Sequence, residues 1–191
     1  TDEAMTVPYS DQKWTADDLN GTITLHADDG QLLYPLYAKA TLSFTHNIHG
    51  ACTAKKDIIV VFEPSDEAKV MMNKFTNGGE IKLEENLLLT QPLVIDNPNA
   101  VVTLDLGGRT IQNITREPGS EQYALRVKQG TLIIKGEGTV DGGSGCKYNI
   151  ALRVDGGAGA YVEGGFFKVG AGQDGDVNHA VYAADGGKVF I

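Results

Sequence analysis

The sequence is poor in cysteine and in basic residues, and each shortage narrows the classes of protein that it can belong to. Cys52 and Cys146 are its 2 cysteines, and neither a CxxC pair nor a Cys/His cluster accompanies them. We therefore expect two free thiols, with one disulfide between them as the alternative. Lys and Arg number 16 against 25 Asp and Glu, which gives a formal net charge of −9. Such an acidic surface predicts no nucleic-acid partner and no binding to anionic membranes.

Long apolar runs and the signatures of common active sites are also missing. No run of about 18 apolar residues occurs, so we predict no membrane insertion. The sequence contains no GxSxG, no phosphate loop and no dinucleotide fingerprint. His46 and His49 lie in a predicted strand, where a spacing of three places them on opposite faces, and no third ligand is near. We therefore predict no zinc site.

Glycine is abundant and unevenly distributed, which divides the chain into two parts. Most of the 24 glycines lie after Gly78. Hydrophobic residues make up 41% of the chain, enough for a packed core. Residues 1–20 are polar and predict an N-terminal arm or an irregular cap. Residues 21–64 predict a small β domain that serves for anchoring or assembly. Within this domain Asp57–Phe62 is a nearly continuous apolar run, typical of a strand that is covered on both faces.

One short helix is predicted between the two parts, over residues 65–76. Ser65 is a suitable N-cap, and Asp66 and Glu67 follow it in the first turn. The Asn77-Gly78-Gly79 sequence ends the helix. We expect this helix to cap the structure that follows, because the first unit of a stacked repeat exposes an apolar end.

Residues 77–191 contain an internal repeat, which is the strongest signal in the sequence. Ala124-Leu-Arg-Val127 returns as Ala151-Leu-Arg-Val154 and, less closely, as Ala180-Val-Tyr-Ala183, at a spacing of roughly 27–29 residues. Each copy is followed by a glycine turn and two further short strands. Three short strands per repeat predict one turn of a parallel β-coil, and the segment is long enough for about four such turns, or rungs. The predicted fold class is therefore all-β.

The repeat resembles the pectin-lyase-like superfamily of right-handed parallel β-helices. Its Leu104-Asp-Leu-Gly-Gly-Arg-Thr-Ile111 segment and the Ala124–Gly143 repeat are most similar to repeats in phage tail-spike and head-fibre proteins and in surface proteins of gut bacteria. The resemblance implies a non-catalytic virion structural or attachment protein on the exterior of a phage particle. It also implies a homo-trimer that contacts other virion proteins through its N-terminal domain. The alternatives are an extracellular or surface-anchored bacterial adhesin that binds glycans and, less favoured, a fragment of a polysaccharide lyase or hydrolase.

Strand alternation divides the repeat into inward and outward side chains. Leu125, Val127, Leu132, Ile134 and their equivalents in the later repeats are predicted to point inward, down to Ala183 and Ile191 at the end of the chain. Two outward lines of side chains follow. The first, which we call the arginine ladder, is a candidate contact for an acidic glycan, with solvated arginines stacked on Tyr182 as the alternative: Arg126, Arg153 and Tyr182. The second, the aromatic ladder, is a candidate protein interface, with a glycan platform or simple cross-strand pairing as alternatives: Thr103, Ile133, Tyr161 and Phe190.

Acidic residues in the repeat give little sign of catalysis. Glycosidases need paired carboxylates at a defined separation, and polysaccharide lyases need a calcium site beside a base. Most acids of the repeat adjoin glycines, where turn formation explains them. Asp174, Asp176 and Asn178 form a weak calcium candidate, and we predict no other cofactor. Because Lys188–Ile191 falls in the middle of a repeat, we expect the chain to continue past Ile191 or a partner to cover this end.

Overall fold

A computed structural model describes residues 5–6, 13–17, 22–26, 31–34, 36–46, 52–62, 64–114, 121–171 and 178–191. Before residue 63 it describes the side chains of residues 31–34, Tyr37, Asp57 and Ile59, and otherwise the backbone of the strands. None of the helices in these ranges is long and apolar enough to cross a membrane. The described residues form strands and one helix, and they divide into two compact units.

The first unit comprises Thr1–Asp29 and Pro35–Glu63 and is built from antiparallel strands. Its strands are β1 (Met5–Thr6), β2 (Lys13–Asp17), β3 (Thr22–His26), β5 (Leu36–His46) and β6 (Cys52–Phe62), while the intervening β4 (Gln31–Leu32) belongs to the second unit. Strand β1 pairs with β5, β5 pairs with β6, and β2 pairs with β3. Strands β1 and β2 both lie within residues 1–20, the segment for which the sequence predicted an arm or an irregular cap.

The long hairpin of β5 and β6 corrects a second prediction. The Asp57–Phe62 run does not form a strand that is covered on both faces, because Ile59 is 73% exposed and Asp57 is exposed as well. An antiparallel strand can present one face to solvent even when its sequence is apolar. His46 ends β5 opposite Cys52, and His49 lies outside the described residues.

The second unit comprises Gly30–Tyr34 and Pro64–Ile191 and is built from parallel strands. Its remaining strands are β7 (Gly79–Lys82), β8 (Leu87–Leu89), β9 (Leu93–Asp105), β10 (Thr110–Asn113), β11 (Glu121–Lys135), β12 (Thr139–Asp141), β13 (Tyr148–Val154), β14 (Gly159–Val162), β15 (Phe166–Lys168), β16 (His179–Ala183) and β17 (Lys188–Phe190). They form two open sheets. The first has the order β15-β12-β10-β8-β4. In the second, β9 and β11 are long enough to pair with two series of short strands, β13 and β16 on one half and β7, β14 and β17 on the other.

Strand β4 joins the second unit although it lies inside the predicted small β domain. It pairs in parallel with β8, and the two residues at its end, Leu32 and Leu33, are buried. The hydroxyl of Tyr34 donates to the carbonyl of Pro92 at 2.8 Å. Burial of these apolar side chains, at about 1.5–3 kcal/mol each, outweighs the closeness of β4 to the first unit in sequence.

The core of the second unit lies beneath its parallel strands and follows the predicted alternation. Leu125, Val127, Leu132 and Ile134 of β11 are all at most 1% exposed, and Leu152 of β13 is fully buried. Leu125 pairs in register with Leu152, which pairs with Val181 of β16. Two predicted inward residues differ: Ala183 is exposed, and Ile191 is 96% exposed. Both lie at the outermost strands of the described sheet, so no described strand covers them.

Helix α1 (Asp66–Asn77) begins and ends at local signals that the sequence carries. The Ser65 hydroxyl accepts a hydrogen bond from the backbone N–H of Ala68 at 3.2 Å. Gly78 ends the helix with a φ of +93° and donates its N–H to the carbonyl of Lys74. Phe75 is 1% exposed and joins the core of the parallel strands. The helix packs on β7 and β9, the first strands of the second sheet.

Candidate functional site on the outer face of the second sheet

The aromatic ladder is a continuous line of side chains on the outer face of the second sheet. Strand pairing places Thr103 of β9 beside Ile133 of β11, Ile133 beside Tyr161 of β14, and Tyr161 beside Phe190 of β17. Thr103 and Ile133 are half-buried, whereas Tyr161 is 44% and Phe190 is 48% exposed. The structure therefore brings all four predicted residues together, and exposed apolar surface increases toward β17.

The two aromatic rings of this ladder stack on each other. Their centroids are 4.8 Å apart and their planes differ by 13°. That separation equals the distance between neighbouring strands, so the stack follows from the register of β14 and β17. It adds about 0.5–1.5 kcal/mol beyond the burial of apolar area. One face of each ring is covered by the other ring, and the second face of Phe190 points away from β14.

Two further lines of side chains flank the aromatic ladder on the same outer face. The first line lies two positions earlier on each strand than the aromatic ladder, and we call it the small-residue rim. It ends in an exposed lysine on β17. Its members are Val101, Thr131, Gly159 and Lys188. The second line lies two positions later on each strand than the aromatic ladder, and we call it the charged rim. The charge of its side chains alternates in sign from strand to strand: Lys82, Asp105, Lys135 and Glu163. Alternating charges on adjacent strands avoid like-charge repulsion across the sheet. The outer face thus has an apolar centre between one nearly neutral rim and one charged rim.

The arginine ladder lies on the other half of the same sheet, and its cations are already paired. Arg126, Arg153 and Tyr182 stand in register on β11, β13 and β16. Asp155 accepts from Arg126 at 2.8 Å and from Arg153 at 2.6 Å, one carboxylate oxygen to each guanidinium. Glu121 lies 3.5 Å from Arg153. Two carboxylates therefore balance two guanidinium groups, which leaves no surplus positive charge for an acidic glycan.

Aromatic rings complete this cluster. The guanidinium carbons of Arg126 and Arg153 lie 5.2 Å and 5.3 Å from the centre of the Tyr123 ring, and Arg153 also lies 5.7 Å from that of Tyr182. His179 stacks on Tyr182 at 4.7 Å between centroids. The Tyr123 hydroxyl donates to Glu121. Arg153 thus lies over Tyr182, as the alternative interpretation of the ladder has it, but the arginines are paired with carboxylates rather than solvated.

The electrostatics of the cluster follow from burial and hydrogen bonding. Burial alone would raise the pKa of Asp155, but hydrogen bonds from Arg153 and Arg126, together with their charges, bring it below its ordinary value. Burial of Tyr123 and its hydrogen bond to Glu121 raise the pKa of the phenol. The hydrogen bond to Asp155 is the main cause that raises the pKa of Arg153. Asp155 and Arg153 are therefore both charged at neutral pH.

A pH-dependent contribution to stability follows from the lowered pKa of Asp155. A carboxyl group whose pKa is lower in the folded than in the unfolded state stabilises the fold above its unfolded pKa of about 3.9. The contribution is lost as the pH falls through the folded value. We expect Asp155→Asn to lower the free energy of unfolding by about 1–3 kcal/mol at pH 7, because two half-buried guanidinium groups lose their acceptor. Urea denaturation at pH 7 and pH 3 measures this difference, which should shrink at pH 3; a difference of equal size at both pH values would contradict the assignment.

The calcium candidate is only partly within the described residues. Asp174 and Asp176 lie outside them. The side-chain oxygen of Asn178 accepts hydrogen bonds from the backbone N–H and the side-chain amide of Asn149, at 3.2 Å and 2.8 Å. This oxygen is therefore engaged in the protein's own hydrogen bonding. Across the described ranges, His, Cys, Asp and Glu side chains form no group of three or more that could hold a metal ion.

Several acids of the repeat serve the turns beside them. Asp105 accepts from the N–H of Gly107 at 3.0 Å. Asp141 accepts from the N–H of Gly143 at 2.9 Å and pairs with Lys168 at 3.1 Å. Both acids thus support local backbone structure, which is the role that their position one or two residues before a glycine indicates.

Sequence reasoning missed a line of buried amides beside the arginine ladder. Gln122 pairs in register with Asn149, and Asn149 is fully buried and hydrogen-bonded to Asn178. Asn149 also forms hydrogen bonds with the backbone of Cys146, whose side chain is buried. The signal was present in the sequence, since an amide side chain precedes the repeated alanine by two positions in each copy. These amides satisfy buried hydrogen-bonding groups and hold neighbouring repeats in register.

The chain matches no protein-family model, no curated protein and no solved structure.

Proposed function

We propose that residues 77–191 form a right-handed parallel β-helix and that the chain is a non-catalytic structural or attachment protein. Support for the fold comes from strand pairing at one repeat length. Strands β12, β13 and β14 pair in parallel with β15, β16 and β17 in the same order. Each rung of the helix would contribute one strand to the first sheet and two to the second. Parallel crossover connections are right-handed in about 98% of cases, which supports the handedness.

The observation that carries the function is the exposed aromatic ladder. Exposed aromatic side chains in register on a flat sheet are suited to contact with another protein, since such interfaces are enriched in aromatic residues. The contact surface available is small. Five strands and five residues per strand span about 24 Å by 17 Å, or about 400 Å² on each copy. Such a contact buries about 800 Å² in total, less than the roughly 1,000 Å² expected of a stable interface, so the assembly is weak and depends on concentration.

Ring orientation favours a protein partner over a glycan at this ladder. A sugar ring packs its C–H groups on an open aromatic face. In the stack, Tyr161 and Phe190 each cover one face of the other. On the outer face of the sheet the rings therefore present their edges, which pack well against the apolar side chains of a second protein surface, whereas the uncovered face of Phe190 points along the direction in which the strands stack.

In this proposal the chain is carried on the exterior of a bacteriophage particle. The β-helix projects outward, and the antiparallel first unit attaches the protein to other virion proteins. Support for the virion setting is the similarity of the repeat to those of phage fibres and spikes. Assembly through the aromatic ladder is the part of the proposal that geometry supports directly, because the ladder is exposed and continuous.

The proposed contact between two copies through the aromatic ladder, which we call the seam, can be tested by placing charge on the ladder. We expect Tyr161→Lys combined with Phe190→Lys to reduce the mass in light scattering to that of a 20.4 kDa monomer, because two apposed pairs of ammonium groups cannot be desolvated. Both residues are exposed, so the fold itself should be retained. A matched control is Phe166→Lys, which changes an exposed aromatic residue of the first sheet. An unchanged mass for the double variant would rule out the seam.

A further inference from the structure

Two opposite charges stand at opposite rims of the aromatic ladder. Lys188 ends the small-residue rim on β17, and Glu163 ends the charged rim directly after β14. Both side chains are exposed. The aromatic ladder separates them, with two residue positions on either side, so they are about 13 Å apart along the strand direction. Within the described part of the chain, neither side chain forms an ion pair.

The relation between two copies decides which of these charges meet. Consider two copies face to face, related by an axis parallel to the direction in which the strands stack. Each strand then has the same position along this axis, or height, as the equivalent strand of the other copy. Tyr161 therefore faces Tyr161 of the other copy, and Phe190 faces Phe190. The rims exchange sides, so the small-residue rim of one copy faces the charged rim of the other. Along the stacking direction, Lys188 of one copy is then offset from Glu163 of the second copy by one strand spacing, about 4.8 Å.

We infer that a second copy of this chain docks on the aromatic ladder with its β-helix parallel to the first, and that reciprocal Lys188–Glu163 ion pairs fix this arrangement. The inference rests on the proposed function, since it specifies the contact at the same seam. Gly159, which has no side chain, faces Glu163 of the other copy and leaves room for it. The apolar ladder supplies the attraction and the ion pairs select the orientation.

An antiparallel arrangement satisfies the charges and the apolar residues less well. If Tyr161 faces its own equivalent in that arrangement, Glu163 faces Glu163. If the copies shift so that the alternating charged rim is matched, Glu163 faces Lys82 or Lys135. Tyr161 then faces Glu80 or Ile133, and Phe190 has no counterpart or faces Thr103, so neither aromatic ring meets another ring. The parallel arrangement matches both aromatic residues. Its one repulsion, Glu80 against Glu80, lies at the opposite end of the ladder with Lys82 beside it, so contact concentrates on β11, β14 and β17.

The mixing of two charge-reversed variants tests this arrangement. Alone, Lys188→Glu places two acids together at each rim contact, and Glu163→Lys places two lysines together. We expect either variant to associate about tenfold more weakly than the unmodified protein in sedimentation equilibrium at low salt. An equimolar mixture should recover the affinity, because in a mixed pair each rim contact again joins one acid and one lysine. Glu85→Lys, the same change of charge in the turn between β7 and β8, serves as the control and should not weaken association.

The possible outcomes separate this inference from the proposed function. If the unmodified protein associates but Lys188→Glu associates equally well, the parallel arrangement is wrong and the aromatic seam stands. If Glu163→Lys alone weakens association and mixing does not restore it, the copies are antiparallel, because Glu163 then faces a lysine of the charged rim, Lys82 or Lys135. If the unmodified protein is a monomer at every concentration, the seam itself is wrong. Recovery of the affinity in the mixture supports both the parallel arrangement and the aromatic seam.

Discussion

Replacement of Ile134 by alanine is expected to lower the free energy of unfolding by about 2–5 kcal/mol. Ile134 is fully buried on β11 and stands between Leu104 of β9 and Val162 of β14. The truncated side chain leaves a cavity that the flanking strands cannot close, because their own pairing fixes their positions. Urea denaturation followed by circular dichroism measures the loss.

The neighbouring residue provides a matched control for this prediction. Ile133 has the same side chain on the same strand but faces outward and is half-buried. Ile133→Ala should therefore cost less than about 1 kcal/mol in a monomer. Comparison at low protein concentration keeps any contribution from self-association small. Equal losses for the two variants would contradict the alternation of β11 on which the outer face depends.

Replacement of Gly130 by alanine is expected to destabilise the protein by about 3 kcal/mol or more. Gly130 has a φ of +85°, a conformation that costs an L-residue about 1–2 kcal/mol. A methyl group at this position would also lie 2.5 Å from the carbonyl oxygen of Asn97 and 2.7 Å from that of Ala100. These are backbone atoms of β9, so relief of the clash requires displacement of a central strand. Thermal or urea unfolding would show the effect.

The next repeat contains a glycine that separates the two causes. Gly157 occupies the equivalent turn with a φ of +82°, but a methyl group there would meet nothing within 4 Å. Gly157→Ala should therefore cost only the conformational part, about 1–2 kcal/mol. If the two substitutions prove equally harmful, steric contact with β9 is not the reason that Gly130 is a glycine.

The sequence was sufficient to predict the features that depend on periodicity. The return of Ala-Leu-Arg-Val fixed the register of Leu125 with Leu152 and of Arg126 with Arg153, since parallel strands of one repeat length align equivalent residues. The aromatic ladder followed by counting alternate positions from that register. Ser65 identified the start of the helix because N-caps depend on local chemistry.

Features that depend on contacts between distant residues could not be predicted in this way. Strand β4 joins β8 because Leu32 and Leu33 find an apolar surface there, and nothing near them in sequence indicates that surface. The pairing of Arg126 and Arg153 with Asp155 depends on a turn that brings one acid between two strands. In the sequence, Asp155 adjoins a glycine as most acids of the repeat do. Nothing there links it to the two arginines, so the neutral character of this cluster became clear only from the side-chain geometry.

The mass of the unmodified protein in solution tests the central claim most directly, namely that copies meet through the aromatic ladder. Light scattering from about 1 µM to about 1 mM covers the affinities that a contact of this size allows. We expect a mass that rises with concentration from 20.4 kDa toward a multiple of it, and a rise that disappears in the Tyr161→Lys, Phe190→Lys variant. A mass of 20.4 kDa at every concentration would contradict the claim.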